Sequence, residues 1–496
     1  MQEPTLHRRQ ERLNNMTNGL GLEDVYGATI ERIEAQGGYK CRLGMGALMW
    51  ISYAERPFSP DGLCQALAIE LGSTDFNAGN IPSITTLVSC CQGLITVDKE
   101  ASTVRLIHFT LREYLSTHPN IFSAPHSVMA EICLTYLNFE QVKAISVDSN
   151  ADLSDVIHEN PFLEYSSLYW GVHAKRELSD RSRSLALQLF RDFDGHISGK
   201  VLWVQDIFGA IDDHHSFQFS PLHCVSVFGI IELLVALIEM ECYDINEGDY
   251  FELTPLARAA EYGHDEIVKM LVELDVIDIN KPSFCGETPL SRAAMKGHEV
   301  VVKILLGRDD INPGAAEDEG FTPLLFAAWS GHEGVVKILL WQEEVHPNDS
   351  NIHGETPLML AAGSGHEAVV KILLGRDEVN PDKPDNEGGT PLLYAAKWGH
   401  QRIVRALLGR EEVNPNKSDN KGRTPLSHAA EGGHAGVVKI LLEQKGVSPN
   451  KPDNGSQTPL MWAAKSGHHM VVALLQPYEA AIALLQLHQA VTHSAI

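Results

Sequence analysis

The stretch "TPLLFAAWSGHEGVVKILL", residues 322–340, decides how this chain is read. Thr322 has the hydroxyl that caps a helix N-terminus, and Pro323 suits the first helical position, where a missing N–H costs nothing. On the helical period, Leu324, Ala327, Ala328 and Gly331 fall on one face. The paired alanines keep that face thin, so a neighbouring helix can approach closely. Gly331 can take the positive φ that ends a short helix. "HEGVVKILL" then makes a second helix, with Val335, Val336, Leu339 and Leu340 on its buried side. Phe326 and Trp329 lie opposite the alanines. Large aromatics there need either a cover or an occupant.

The phrase recurs. Thr-Pro-Leu begins at Thr254, Thr288, Thr322, Thr356, Thr390, Thr424 and Thr458, every interval being 34 residues. Ser220-Pro221-Leu222-His223 is a weaker copy one step earlier, so eight copies are expected. Gly-His follows each Thr nine residues on. A Gly stands two residues before Thr in five copies (286, 320, 354, 388, 422), as a reversing turn wants. Glu252 and Ser456 replace it in the other two, and those turns are expected to differ in shape. A turn with two short helices cannot bury its apolar face alone, whereas stacked units share one core. One Gly-His histidine per repeat, about 10 Å from the next, cannot gather ligands around a zinc. A hydrogen bond to the adjacent turn is the expected role.

This repeat resembles the ankyrin repeat, whose "TPLHxAA" signature is kept with its His only at His223. The resemblance covers about residues 216–476. It implies a solenoid that binds partners through a concave groove made by the first helices and the turn tips. Positions four, seven and eight after Thr would face that groove. They place Arg258, Tyr262, Arg292, Phe326, Trp329, Tyr394, Trp398 and Trp462 on it as candidate partner-binding residues. Exposed clusters of this kind mark interaction sites, and Trp, Tyr and Arg dominate binding energy.

The first 215 residues have no such period. "YGATIERIEA" (26–35) and residues 45–72, broken near Pro57, read as helices. A helix running into a strand (81–98), a turn (99–102), a second strand (103–109) and another helix (110–116) follow, suggesting a winged helix. "VYGATIERI", "ALMWISYAERPFSPDGLCQALA", "GLITVD" and "RLIHFTLREYL" resemble the module after the nucleotide-binding domain of fungal NACHT-ankyrin proteins, which are STAND-type receptors. "PFLEYSSLYWGVHA" (161–174) is similar to the helical connector that follows in them. The family's NTPase needs a GxxxxGK[ST] loop. "GHISGKV" (195–201) fails in both spacing and hydroxyl, so the NTPase domain is expected to be missing.

Composition excludes several classes. The chain has 496 residues and a formal charge of −26, which repels polyanions. The presumed recognition segment, 81–94, has no Lys or Arg, and the wing offers Lys99 and Arg105 beside Asp98 and Glu100. Nucleic-acid binding is therefore not expected. No run reaches the length of a membrane span, no secretory signal opens the chain, and the eight cysteines contain no CxxC pair. No GxSxG, HExxH or calcium loop occurs. "DDHHS" (212–216) reads as an exposed junction and Cys90-Cys91 as core.

The expected fold is mainly α. It comprises a flexible N-terminus (1–20), a winged-helix-like domain (21–140), a helical connector (141–215), the solenoid (216–476), and a C-terminal capping helix and tail (477–496). The expected function is non-catalytic recognition of a protein partner in intracellular signalling or STAND-type sensing. No cofactor, metal, nucleic acid or membrane is expected. The alternative is a regulatory fragment acting in trans with a nucleotide-hydrolysing NACHT protein. The expected location is the cytoplasm, with the nucleus left open.

Overall fold

The computed structural model describes residues 21–146, 150–204 and 219–480. The N-terminus (1–20), "DDHHS" and most of the expected capping helix (478–491) lie outside the described residues. The chain divides into two compact units, Met1–Tyr243 and Asp244–Ile496.

The first unit opens with α1 (Leu22–Glu34), α2 (Gly38–Tyr53) and α3 (Pro60–Ala68). The break between α2 and α3 falls at Pro57, and the Ser59 hydroxyl caps α3 by accepting from Gly62 N. Next come α4 (Ile84–Cys90) and an antiparallel hairpin, β1 (Ile95–Asp98) with β2 (Thr103–Leu106), in register Ile95 to Leu106. The helix α5 (Phe109–Thr117) closes the winged-helix pattern. The core centres on Trp50 of α2, whose ring meets Phe58, Phe162 and Tyr165 edge-on at 5.4, 5.6 and 5.7 Å.

Two longer helices, α6 (Pro125–Leu137) and, beyond the short Glu140–Lys143 and Asn150–Glu159 helices, Leu163–Arg176, pack together. The latter also meets the Pro221–Phe228 helix of the first repeat copy. There Trp170 packs on Phe228 at 5.1 Å. A Cβ added at Gly171 would lie 2.2 Å from the Phe228 ring, so only glycine permits the approach. This connector helix covers apolar surface that the first copy cannot bury alone.

In the second unit each copy is a finger-like turn followed by an inner and an outer helix. The Thr322 copy has its inner helix at Pro323–Ser330 and its outer helix at Glu333–Leu339. Every Thr hydroxyl accepts from the backbone N–H three residues on, at 3.1–3.3 Å. Leu324, Ala327, Ala328, Val335, Val336 and Leu339 are buried. The Gly of Gly-His takes positive φ throughout, for example +83° at Gly331.

The fingers are joined edge to edge by one backbone bond per repeat. Asp318 N donates to Cys285 O at 3.0 Å, Ile352 N to Glu319 O at 2.9 Å, and Asn386 N to His353 O at 3.0 Å. Glu252 and Ser456 do not change the turn. Both take the left-handed conformation of the glycines they replace, at φ +59° and +60°, and both donate the same closing hydrogen bond, to Asp249 O and Asp453 O. The expectation of differently shaped turns is therefore corrected: shared ladder bonds hold the conformation against the side chain's preference.

Candidate partner-binding surface

Of the three inner-helix positions expected to face the groove, the position four after Thr behaves differently from the others. In four copies an aspartate of the finger, nine residues earlier, reaches back over the helix and takes that side chain. Asp249 Oδ2 accepts from Arg258 Nε at 2.7 Å. Asp385 Oδ2 accepts from the Tyr394 hydroxyl at 2.8 Å, and Asp453 Oδ2 from Trp462 Nε1 at 2.9 Å. His428 Nε2 meets Asp419 Oδ2 at 2.9 Å. The other carboxylate oxygen ties the finger itself: Asp385 Oδ1 accepts from Glu387 N and Gly389 N. One aspartate thus links the finger to the inner helix.

This corrects three expected surface residues. Arg258 is fully buried, held by Asp249 and, at 2.9 Å, by Glu261. Arg292 is buried between Glu287 and Glu261. Phe326 is only 6% exposed because Phe321, from the finger, lies over it with ring centroids 5.1 Å apart. Burial at Asp249 pushes its carboxyl up, against the pull of Arg258, which is what a desolvated ion pair does. These three side chains form the framework beneath the surface.

At positions seven and eight after Thr the array carries its open indoles. Trp329 is 50% and Trp398 57% exposed. Between them, in the intervening repeat, stand Gly363 and Ser364. A Cβ at Gly363 would sit 3.4 Å from Tyr394 Cδ1 and 3.9 Å from Trp398 Cδ1, so the missing side chain leaves a low floor beside the Tyr394 and Trp398 rings. Tyr262, Tyr394 and Trp462 are half-buried. The Trp462 ring lies under Arg423 at 4.4 Å and beside Lys465 at 4.9 Å, both within cation–π range.

The Gly-His histidines are structural ties. His298, His332, His366, His400, His434 and His468 each direct Nε2 to a carbonyl 37 residues earlier, at 2.9–3.0 Å. Each ring also sits where a Cβ on the preceding repeat's glycine would go, as His366 Nδ1 does at 2.4 Å from the site at Gly331.

Residues 200–283, 275–351, 343–419 and 407–484 match the family described as ankyrin repeats (three copies). The chain belongs to the ankyrin-repeat family. Ankyrin repeats are protein-interaction modules, and the mainly helical solenoid expected from the 34-residue period is the fold observed. Residues 32–124 match the winged helix domain of GPI inositol-deacylase. No curated protein matches the chain. Among solved structures, that of the human ASB11 ankyrin repeat domain is similar at 25% identity, covering 46% of this chain and 100% of that one with a TM-score of 0.41.

Sequence reasoning missed the exposed apolar residues of the ankyrin fingers and outer rim. Phe284 is 77% and Ile352 58% exposed; both stand four residues before Thr, at the finger tip. Trp341, at the end of an outer helix, is 80% exposed. Their signal was positional: Trp341 stands where the following copies have Gly375 and Gly409.

In the winged helix, α4 carries no cation, and Arg105 of the wing is paired with Asp98 at 3.1 Å. Cys90 and Cys91 are buried, and burial pushes the Cys91 thiol up to about 12, the opposite of activation. All eight cysteines are unpaired thiols. Among the described residues no helix is long and apolar enough to cross a membrane, and no cluster of three or more His, Cys, Asp or Glu is arranged to hold a metal.

Proposed function

We propose that this chain is a non-catalytic recognition protein whose ankyrin groove holds a protein partner, with Trp329 and Trp398 as anchors. The carrying observation is that these two indoles stay half open to solvent on either side of Gly363-Ser364, while the aromatic beneath them, Phe326, is covered. Rigid, partly exposed indoles beside a small-residue floor favour insertion of an apolar side chain from a partner. Tyr262, Tyr394 and Trp462 extend the surface along the array. The setting we infer is intracellular signalling of the STAND-receptor type, in the cytoplasm, in keeping with eight unpaired cysteines.

Affinity purification from native cells, comparing wild type with Trp329→Ala/Trp398→Ala, tests this. A partner lost from the variant while its thermal unfolding is unchanged supports the reading. An identical partner set would sink it.

A second reading rests on the winged helix. Ile107 and Phe109, at the end of the hairpin and the start of α5, are 53% and 69% exposed. Such a patch favours a second protein surface, and a NACHT-type NTPase acting in trans is the partner we infer for it. Co-purification that changes when ATP is added supports this reading; binding indifferent to nucleotide counts against it.

A further inference from the structure

Three kinds of side chain tie the end of an outer helix, and the loop after it, to the same parts of the neighbouring copy. An arginine donates to a carbonyl 36 residues earlier: Arg308 to Val272 O, Arg376 to Leu340 O and Arg410 to Leu374 O. An asparagine donates its amide to a carbonyl 30 residues later and accepts from the N–H 32 residues later, as Asn246, Asn280, Asn348 and Asn416 do. Asn450 likewise bonds Tyr478 O. A lysine ammonium donates to a carbonyl 35 residues earlier, from Lys281, Lys383, Lys417 and Lys451.

The joint between the copies headed by Thr288 and Thr322 has none of the three. Gln342 stands at the arginine position, Gly314 at the asparagine position and Asp349 at the lysine position. Among the described residues no hydrogen bond joins 306–314 to 340–349, whereas every other joint keeps at least one such tie. The next joint, from Thr322 to Thr356, has all three. Burial follows the ties. Val272, Leu340 and Leu374, whose carbonyls an arginine caps, are buried, but Leu306 is half-buried. Ile311 is half-buried too, where Ile277, Val345, Val379 and Val413 are buried. The inner edge of the same joint is intact. His332 Nε2 meets Met295 O at 2.9 Å, Asp318 N donates to Cys285 O at 3.0 Å, and Ala293, Ala294, Ala327 and Ala328 are buried.

We propose that this joint is a hinge, at which the copies before Thr322 open and close against those after it, pivoting on the tied inner edge. The stability of a stack is a sum of repeat and interface terms, so the interface lacking these bonds opens first. The hinge lies within the candidate surface: Tyr262 stands before it, and Trp329, Trp398 and Trp462 after it. Its opening changes the reach from Tyr262 to the indoles. This goes beyond the groove reading and is independent of what the groove holds.

Electron–electron double resonance on the full chain tests this, with spin labels on genetically encoded amino acids so that the native thiols are spared. One pair, at 269 and 337, spans the hinge; the control pair, at 337 and 405, spans two tied joints. All three positions are exposed on outer helices at equivalent places. The 269/337 pair should show a second, longer-distance component that the 337/405 pair lacks. Gly314→Asn/Gln342→Arg/Asp349→Lys supplies the missing ties, and a Cβ at Gly314 meets nothing closer than Glu344 O at 3.5 Å. In that variant the longer component should fall about tenfold or more, as several restored hydrogen bonds require. Conversely, Asn348→Gly/Arg376→Gln/Lys383→Asp should bring the longer component to the 337/405 pair. Equal distributions for the two pairs in the wild type would overturn the hinge, and so would a longer component that persists when the ties are supplied.

Discussion

At the scale of single residues, the array separates side chains that hold the fold from those that face outward, and the two respond differently to truncation. Arg258 sits fully buried on Asp249, and removing it leaves an uncompensated carboxylate inside. Arg258→Ala is expected to cost about 3 kcal/mol or more. Trp398→Ala should cost less than about 1 kcal/mol, because more than half of that side chain is already in water. Chemical denaturation of both variants checks the contrast; equal losses would show Trp398 to be part of the core. Glu252 and Ser456 carry the reverse liability, since each holds a left-handed backbone that glycine adopts without strain. Glu252→Gly and Ser456→Gly should each stabilise the array by about 0.5–1 kcal/mol, read as a rise in melting temperature. The helix stripe, the Thr caps and the glycine stops were legible from spacing, because each depends on residues within one turn. The burial of Arg258, Arg292 and Phe326 was not. A helix period says which way a side chain leaves the helix, and it says nothing about a finger residue five or nine positions earlier that closes over it.

At the scale of elements, the winged helix was legible from its apolar runs and turn residues, down to the hairpin between Ile95 and Leu106. The seam between α6 and the Leu163–Arg176 helix was not, because it rests on a pair of histidines far apart in sequence. His126 Nδ1 and His173 Nδ1 lie 2.8 Å apart, and His173 Nε2 meets the Tyr165 hydroxyl at 2.8 Å. Glu55, Glu177 and Arg176 surround the pair, Arg176 bonding Glu55 and Glu177 accepting from Ser127 N. Burial first, then His126 and Arg176, pushes His173 down to about 3 from an ordinary 6.5. The sign follows from linkage. With the folded value depressed, the unfolded chain takes up the proton first, so this stability is intact above 6.5 and is lost as pH falls toward 3. The loss approaches about 1.4 kcal/mol for each pH unit crossed. Denaturation of the first unit, followed from pH 7 downward, should show it, and His173→Gln should flatten that part of the profile. An unchanged slope in the variant would remove His173 from the account.

At the scale of the whole molecule, the 34-residue period carries the fold, because one unit repeated gives one continuous core. It carries far less about the partner. What distinguishes the faces of the array is where individual copies depart from the common pattern, and two such departures compete. Trp329, Gly363 and Trp398 mark the inner-helix side, while Trp341, the most exposed indole, marks the end of an outer helix. The measurement that separates them is site-specific photocrosslinking in native cells, with a benzophenone-bearing residue placed at position 330, 397 or 341 in turn. Positions 330 and 397, beside the exposed indoles, are expected to capture the same partner protein, and position 341 none. A partner captured from position 341 and from neither of the others would contradict this.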